Sequence, residues 1–251
     1  MIDFCTLAKL IRYSGMNRSL AIFSAFAVHV FTTLGLLAAF MSIIAIVEGE
    51  WRTGYTWLIV CFVIDGLDGT LARRMNVERY LPNFDGKAID FIVDFITYAF
   101  IPAFFFYSAK MVSDYLLLPM VFIMLLSSGL YYGKKQMVVD GQYFIGFPVL
   151  WNIVVFYQFF VAGNIEIINI ISIILFGIMH FIPLKFAYPS RSVRFKTMHR
   201  AASILGISAG ILVLYLYPDQ NICVSILAIL IAGYFLFFSF IESYAFTEKN
   251  N

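Results

Sequence analysis

The sequence predicts an all-α protein: a polytopic membrane helix bundle of about eight transmembrane helices that follow an N-terminal interfacial helix. Composition is the first observation behind this prediction. Of the 251 residues, 62% are hydrophobic and only 13% are charged, and the mean hydropathy is +0.88. A soluble domain carries about 25% charged residues. The chain therefore belongs in a bilayer, and its net charge of +2 is too small to indicate a nucleic-acid partner.

Long apolar segments are the second observation. A membrane helix needs about 20 mostly apolar residues. The apolar run over 144–184 is too long for one helix, and the turn-forming pair Gly163-Asn164 divides it. The predicted spans are 22–47, 55–72, 88–108, 115–133, 147–163, 165–184, 201–217 and 221–243.

The distribution of basic residues is the third observation. Of the 17 Lys and Arg residues, 15 lie at the termini or in alternate loops, and two lie in the remaining loops. The positive-inside rule then predicts that both termini and the loop between spans two and three are cytoplasmic. Six spans with two re-entrant segments would give a similar pattern.

The residues before the first span have a mixed character. Phe4 and Leu7 alternate with Lys9 and Arg12, which predicts a helix lying on the membrane surface. An unstructured tail fits the same residues. The predicted division is an interfacial helix over 1–21 and a transmembrane domain over 22–251.

Four aspartates stand where apolar residues are expected. Asp65 and Asp68 are three apart near the end of span two, and Asp90 and Asp94 are four apart near the start of span three. Residues at these spacings share one face of a helix. If the two spans pack as a hairpin, the four carboxylates converge on one cytoplasm-facing cavity.

This concentration of acids predicts a metal site. A charged residue at the centre of a membrane helix costs about 2.5–3.5 kcal/mol on insertion scales. Arg73, the nearest basic residue, cannot neutralise four carboxylates, whereas one or two divalent cations can. Oxygen-only ligands favour Mg²⁺ or Mn²⁺. A divalent-cation transporter is a second possibility, which the clustering of the acids at one end of the spans disfavours.

The same residues form a known motif. The signature of the CDP-alcohol phosphotransferase family reads Asp-Gly-x-x-Asp-Gly-x-x-Ala-Arg, a spacer, then Gly-x-x-x-Asp-x-x-x-Asp. Every fixed position is present here, and the chain is identified as a member on that basis. The matching residues are Asp65, Gly66, Asp68, Gly69, Ala72, Arg73, Gly86, Asp90 and Asp94.

The spacer departs from the common form of the family. Residues 74–85 make it 12 long, where about eight or nine is usual. The longer spacer and the later stretch 144–157 resemble the bacterial phosphatidylcholine synthase branch. That branch implies an enzyme of the bacterial inner membrane that condenses CDP-diacylglycerol with choline, giving phosphatidylcholine and CMP. The family also implies a homodimer.

The resemblance assigns roles residue by residue. Asp65, Asp68 and Asp90 are implied to ligate two divalent ions, Mn²⁺ or Mg²⁺, with Asp94 as a shared ligand or the general base. We expect Asp94, one turn deeper than Asp90, to be the base. The residues implied to bind the CDP-lipid are Gly66, Gly69, Ala72, Arg73 and Gly86.

The acceptor site is predicted from chemistry. A quaternary ammonium is bound by aromatic faces, and Tyr98 follows Asp90 and Asp94 on one helical line. The predicted acceptor-binding residues are Tyr98, Phe144, Phe147, Trp151 and Tyr157. Other acceptors remain open, namely glycerol 3-phosphate, serine and inositol, as does transfer of CDP-choline to diacylglycerol. The basic run over 191–200 could hold a phosphorylated acceptor, although anchoring to anionic lipid is the simpler interpretation.

Overall fold

The computed structural model describes residues 18–135, 138–139, 143–187 and 196–250, and it is a helical bundle as predicted. Two of its helices, Gly86–Ser108 and Trp151–Val161, are continuous but contain π-helical segments, Phe95–Phe100 and Tyr157–Val161. The helices are α1 Arg18–Val47, α2 Trp51–Met75, α3 Val77–Tyr80, α4 Gly86–Ser108, α5 Asp114–Tyr132, α6 Trp151–Val161, α7 Glu166–Met179, α8 Lys196–Leu216 and α9 Ile222–Asn250.

Six of the described helices are long and apolar enough to cross a membrane: α1, α2, α4, α5, α8 and α9. The chain is thus a multi-pass membrane protein. Helices α6 and α7 occupy the predicted fifth and sixth spans but are shorter. At 1.5 Å per residue they measure about 16 and 21 Å, against about 30 Å of hydrocarbon. Six long helices with two shorter ones are compatible with the alternative of six spans and two re-entrant segments.

Hydrogen bonds between segments distant in sequence limit the lengths of α6 and α7. The backbone N–H groups of Gly146 and Phe147 donate to Leu184 O and Met179 O, so residues before Trp151 are tied to the chain that follows α7 instead of entering a helix. Pro183 lies just beyond α7 and cannot continue a helix.

A small antiparallel sheet joins the two ends of this pair of helices. Its strands are β1 Val138–Val139, β2 Tyr143–Ile145 and β3 Lys185–Ala187, in the order β1-β2-β3. Phe144 of β2 is opposite Phe186 of β3. The sequence prediction contained no strands. Because β2 precedes α6 and β3 follows α7, the α6–α7 hairpin begins and ends at the same place in the fold.

The predicted interfacial helix falls outside the described residues, except that residues 18–21 form the start of α1. The predicted orientation of the termini stays a prediction.

Close packing of α1 fixes the helices that carry the acids. A Cβ added at Gly35 would lie 2.9 Å from Val93 Cγ1, and one at Gly54 would lie 2.9 Å from Ile46 Cγ1. Ser42 Oγ also donates to Gly54 O at 2.9 Å. Small residues that let backbones approach are the usual basis of helix association in membranes. Packing against helix α1 therefore fixes the position of α2 relative to α4.

Candidate active site

The segment between α2 and α4 brings the two acidic helix faces together. Helix α2 ends at Asn76, whose φ of 49° is left-handed and whose N–H bonds to Ala72 O and Arg73 O. The short helix α3 follows. Asp85 then caps α4 by accepting the backbone N–H groups of Lys87 and Ala88, at 3.0 and 3.1 Å. The long spacer is thus an ordered turn, and the last turns of α2 face the first turns of α4.

Three carboxylates meet at this junction. Asp65 and Asp68 on α2 and Asp90 on α4 each offer an oxygen, and these oxygens all lie within 4.8 Å of one another. Asp68 is only 7% exposed, and the side chain of Thr32 on α1 lies beside it. The structure therefore brings together three of the four predicted acids in one group.

Asp94 lies one turn further along α4, outside that group of three but with its side chain against that of Asp65. Its Oδ1 is buried and has no hydrogen-bond partner in the described part of the chain. A buried carboxylate oxygen without a partner is costly, so this atom is suited to a ligand, a metal ion or a proton.

The donor set fits a hard divalent cation. All the donors are carboxylate oxygens, which magnesium and manganese prefer. Two oxygens on opposite sides of one Mg²⁺ lie about 4.2 Å apart, close to the spacing observed here. Within the described residues, no Lys or Arg forms an ion pair with Asp65, Asp68 or Asp94. Arg73 lies within electrostatic reach of Asp68, but a single guanidinium cannot balance the charge of the group.

The predicted CDP-lipid residues surround the acids on α2 and at the start of α4. A methyl group at Gly66 would meet no other part of the described chain, and one at Gly69 would meet only Arg73 Nη1, at 3.4 Å. Arg73 is exposed and donates to Thr70 Oγ1 at 3.2 Å. Gly86 differs, because a Cβ there would lie 3.0 Å from His29 Cε1. Packing against α1 thus accounts for Gly86, while Gly66 and Gly69 border open space beside the partly exposed Ala72.

Tyr98 is a predicted acceptor residue that contacts one of the acids directly. Its hydroxyl donates to Asp65 Oδ2 at 2.7 Å, and its ring meets the edge of Phe62. The side chain is 6% exposed. Tyr98 belongs to the π-helical segment that begins directly after Asp94.

Two of the other predicted acceptor residues pack around His180. We define the His180 cluster as Tyr131, Phe147, Trp151 and His180, all less than 9% exposed. The Trp151 ring stacks on that of His180 with centroids 5.4 Å apart, and its Nε1 donates to Ser128 Oγ at 2.8 Å. Phe147 stacks on Phe176 at 4.5 Å.

The remaining two predicted acceptor residues, Tyr157 and Phe144, also contact other parts of the fold. The Tyr157 hydroxyl donates to Ala228 O at 2.8 Å and so joins α6 to α9. Phe144 lies in strand β2, opposite Phe186. The four rings other than Tyr98 therefore have packing or pairing roles in the fold.

Tyr132 is a candidate that sequence reasoning missed. It is the last residue of α5, and its ring contacts Phe91 at 5.8 Å and Phe95 at 6.1 Å, on the turn of α4 that carries Asp90 and Asp94. It lies within electrostatic reach of Asp65, Asp90 and Asp94. No local motif marks this residue, because its position depends on how α5 packs against α4.

The acidic site and most of the sequence match one known protein family. The family model for CDP-alcohol phosphatidyltransferases matches residues 27–231, which include all four acids and most of the helices. The chain belongs to the CDP-alcohol phosphatidyltransferase family and is an enzyme of that class. The expectation from the Asp-Gly signature is thereby confirmed. The family generally uses divalent metals, in agreement with the acidic cluster.

Within this family, the chain is similar to several phosphatidylcholine synthases. The chain is 34% identical to a phosphatidylcholine synthase of Brucella melitensis over 85% of its own length and 77% of that protein. It is 34% identical to one of Mesorhizobium japonicum over 76% of the chain and 70% of the relative. A phosphatidylcholine synthase of Borreliella burgdorferi is 36% identical over 67% of the chain and 71% of the relative.

Proposed function

We propose that this enzyme transfers the phosphatidyl group of CDP-diacylglycerol to choline, giving phosphatidylcholine and CMP, in a metal-dependent reaction. The observation that carries the proposal is the convergence of Asp65, Asp68 and Asp90 within 4.8 Å, in a chain of this family. The similarity to phosphatidylcholine synthases supports choline as the acceptor.

The metal site in this proposal consists of Asp65, Asp68, Asp90 and Asp94. These residues hold Mn²⁺ or Mg²⁺, with two ions because four carboxylates exceed the charge of one. When bound, the ions neutralise the pyrophosphate of the donor and stabilise the charge that develops on CMP.

Asp94 is the proposed general base. The choline oxygen forms a bond to the phosphorus that carries the diacylglycerol, and the bond from that phosphorus to the bridging oxygen breaks. CMP departs with that oxygen, and the hydroxyl proton passes to Asp94. The buried Oδ1 of Asp94, which has no hydrogen-bond partner among the described residues, supports this role.

Arg73 and the glycines of α2 bind the donor in this proposal. The exposed Arg73 guanidinium lies next to Gly69 and can contact the pyrophosphate through two N–H groups. Gly66 and Gly69 leave the backbone of α2 accessible to the cytidine nucleotide, with Ala72 and Gly86 at the border of that site.

The acceptor is held by aromatic rings beside the acids. A trimethylammonium group has no N–H to donate and gains about 0.5–2 kcal/mol from each aromatic face. Tyr98 and Tyr132 are the rings we place nearest to the acceptor. Phe144, Phe147, Trp151 and Tyr157 complete the set predicted from sequence, although their packing contacts favour a structural role.

We further propose the cellular setting. The charge pattern favours both termini in the cytoplasm. The bacterial relatives favour the inner membrane, where CDP-diacylglycerol meets a water-soluble acceptor. The family resemblance favours a homodimer.

The acceptor is tested by supplying each candidate in turn. Purified enzyme with CDP-diacylglycerol and Mn²⁺ is expected to release CMP with choline and not with glycerol 3-phosphate, serine or inositol. Phosphatidylcholine should appear in equal amount. Transfer to glycerol 3-phosphate without transfer to choline contradicts the acceptor but leaves the metal site intact. Formation of phosphatidylcholine from CDP-choline and diacylglycerol alone contradicts the direction of transfer.

A further inference from the structure

The hydrogen bond between Tyr98 and Asp65 links a buried residue to one proposed metal ligand. The Tyr98 hydroxyl donates to Asp65 Oδ2 at 2.7 Å. A hydrogen bond of this length to a carboxylate is among the stronger ones in proteins. The bond crosses from α4 to α2, so it fixes the carboxylate of one helix from the other.

The backbone of α4 places Tyr98 for this contact. The π-helical segment Phe95–Phe100 starts directly after Asp94. A π-helical turn contains more residues than an α-helical turn, so the side chains within it point in directions that a continuous α-helix does not give. Such segments occur frequently at functional sites. The Tyr98 hydroxyl therefore reaches Asp65 instead of extending the line of Asp90 and Asp94.

The bond engages Oδ2 of Asp65, a residue whose carboxylate also belongs to the acid group. Tyr98 is 6% exposed, and its ring is held by Phe62 with a centroid distance of 6.5 Å. A donor held this firmly restricts rotation of the Asp65 carboxylate. Groups that orient metal ligands in this way typically change metal affinity by about 10–100-fold when removed.

We propose that Tyr98 is a positioning residue: its hydroxyl fixes the Asp65 carboxylate in the orientation that binds the divalent ion. This inference rests on the proposed metal site and deepens it. It also assigns the hydroxyl of Tyr98 a role separate from any contact of its ring with the acceptor.

Tyr98→Phe is the matched variant, because it removes the donor and keeps the ring. Tyr157→Phe is the control. It removes a hydroxyl that donates at 2.8 Å to a backbone carbonyl, Ala228 O of α9, and not to a carboxylate. Both variants and the wild type are purified as full chains in detergent, and size-exclusion chromatography and thermal unfolding establish that they are folded.

The readout is equilibrium binding of Mn²⁺, followed by the electron paramagnetic resonance signal of the free ion. We expect Tyr98→Phe to raise the Mn²⁺ dissociation constant by about 10–100-fold and Tyr157→Phe to leave it within about twofold. At saturating Mn²⁺, the Michaelis constant for choline should not change in Tyr98→Phe. Wild-type Mn²⁺ affinity in Tyr98→Phe overturns the inference. So does a raised choline Michaelis constant with unchanged Mn²⁺ affinity, because Tyr98 would then act on the acceptor. Absence of Mn²⁺ binding to the wild type contradicts the proposed function itself.

A double-mutant cycle gives a second test that does not depend on a single variant. If Tyr98 acts through Asp65, Tyr98→Phe has no further effect on Mn²⁺ affinity in an Asp65→Ala background. Additive losses in the double variant contradict the inference.

Discussion

The acid hairpin, formed by α2, α4 and residues 76–85 between them, and the His180 cluster are both polar features inside an apolar bundle, yet they differ in what satisfies them. In the His180 cluster the chain itself satisfies several polar groups: Trp151 Nε1 donates to Ser128, and Lys134 donates to His180 O at 2.6 Å. The Tyr131 hydroxyl and His180 Nε2 have no hydrogen-bond partner among the described residues, but neither group is a carboxylate. In the acid hairpin, carboxylates face one another with no ion pair from the described Lys and Arg residues at Asp65, Asp68 or Asp94.

This difference separates ligand binding from structure. Polar groups that the chain pairs internally contribute to stability and specificity of packing. Carboxylates gathered without counter-ions lower stability and need a ligand to offset that cost. The acid hairpin is therefore the region where substitutions should change activity, and the His180 cluster the region where they should change stability.

The largest expected effect is the loss of turnover in Asp94→Asn. Removal of a general base typically costs about 10²–10⁴-fold in rate. The variant should still bind CDP-diacylglycerol, since the other three acids and Arg73 are unchanged. Rates of CMP release and binding of the donor lipid measure the two properties. A variant that keeps more than about a tenth of the wild-type rate shows that Asp94 is not the base.

Alanine substitutions at Gly146, beside the His180 cluster, and at Gly66, in the acid hairpin, test whether the first region governs stability and the second activity. At Gly146, φ is +85° and a Cβ would lie 2.2 Å from His180 O. We expect Gly146→Ala to destabilise the fold by about 2–5 kcal/mol, from backbone strain and overpacking together. Gly66→Ala should fold as well as the wild type, because alanine favours a helix and nothing in the described chain is near the new methyl group. It should nevertheless lose about 10–100-fold in activity if the donor approaches this surface.

The control for both glycine variants is Gly233→Ala in α9, where a Cβ also meets nothing within 4 Å. Thermal unfolding and CMP release are measured on all three. Normal activity in Gly66→Ala would show that the nucleotide does not bind at this face of α2. A stable, fully folded Gly146→Ala would contradict the close contact at His180.

The smallest expected effect is that of Trp151→Phe. Loss of the hydrogen bond to Ser128 should lower the free energy of unfolding by about 1 kcal/mol. The choline Michaelis constant should stay within about twofold, because Trp151 is fully buried and stacked on His180. A rise of tenfold or more, with stability unchanged, would instead support the acceptor role that the sequence predicts.

The helix positions and the acid site could be predicted because both depend on local sequence. Long apolar runs mark helices in any membrane protein, and two acids at helical spacing must share a face. The predicted helix boundaries were less accurate: α2 begins at Trp51 and ends at Met75, beyond the predicted 55–72. Arg52, Arg73 and Arg74 interrupt the hydropathy but not the helix.

The rest depends on contacts between distant segments. Strands β2 and β3 are separated by about 40 residues in sequence, and their pairing shortens α6 and α7. The direction of Tyr98 depends on a π-helical segment, which hydropathy does not reveal. In a chain that is 18% aromatic, the type of residue alone cannot separate a binding ring from a packing ring. Tyr132 was missed and Trp151 was selected for this reason.

The central claim is that the acids of α2 and α4 form one divalent-metal site, and the most direct measurement is Mn²⁺ binding to purified Asp68→Asn. The control is Asp114→Asn, an exposed acid on α5 that pairs with Lys110 at 3.3 Å. We expect wild type and Asp114→Asn to bind Mn²⁺ alike. Asp68→Asn should bind it more than about 100-fold more weakly, because loss of a ligand exceeds the loss of an orienting group. Equal Mn²⁺ affinity in all three proteins would contradict the claim.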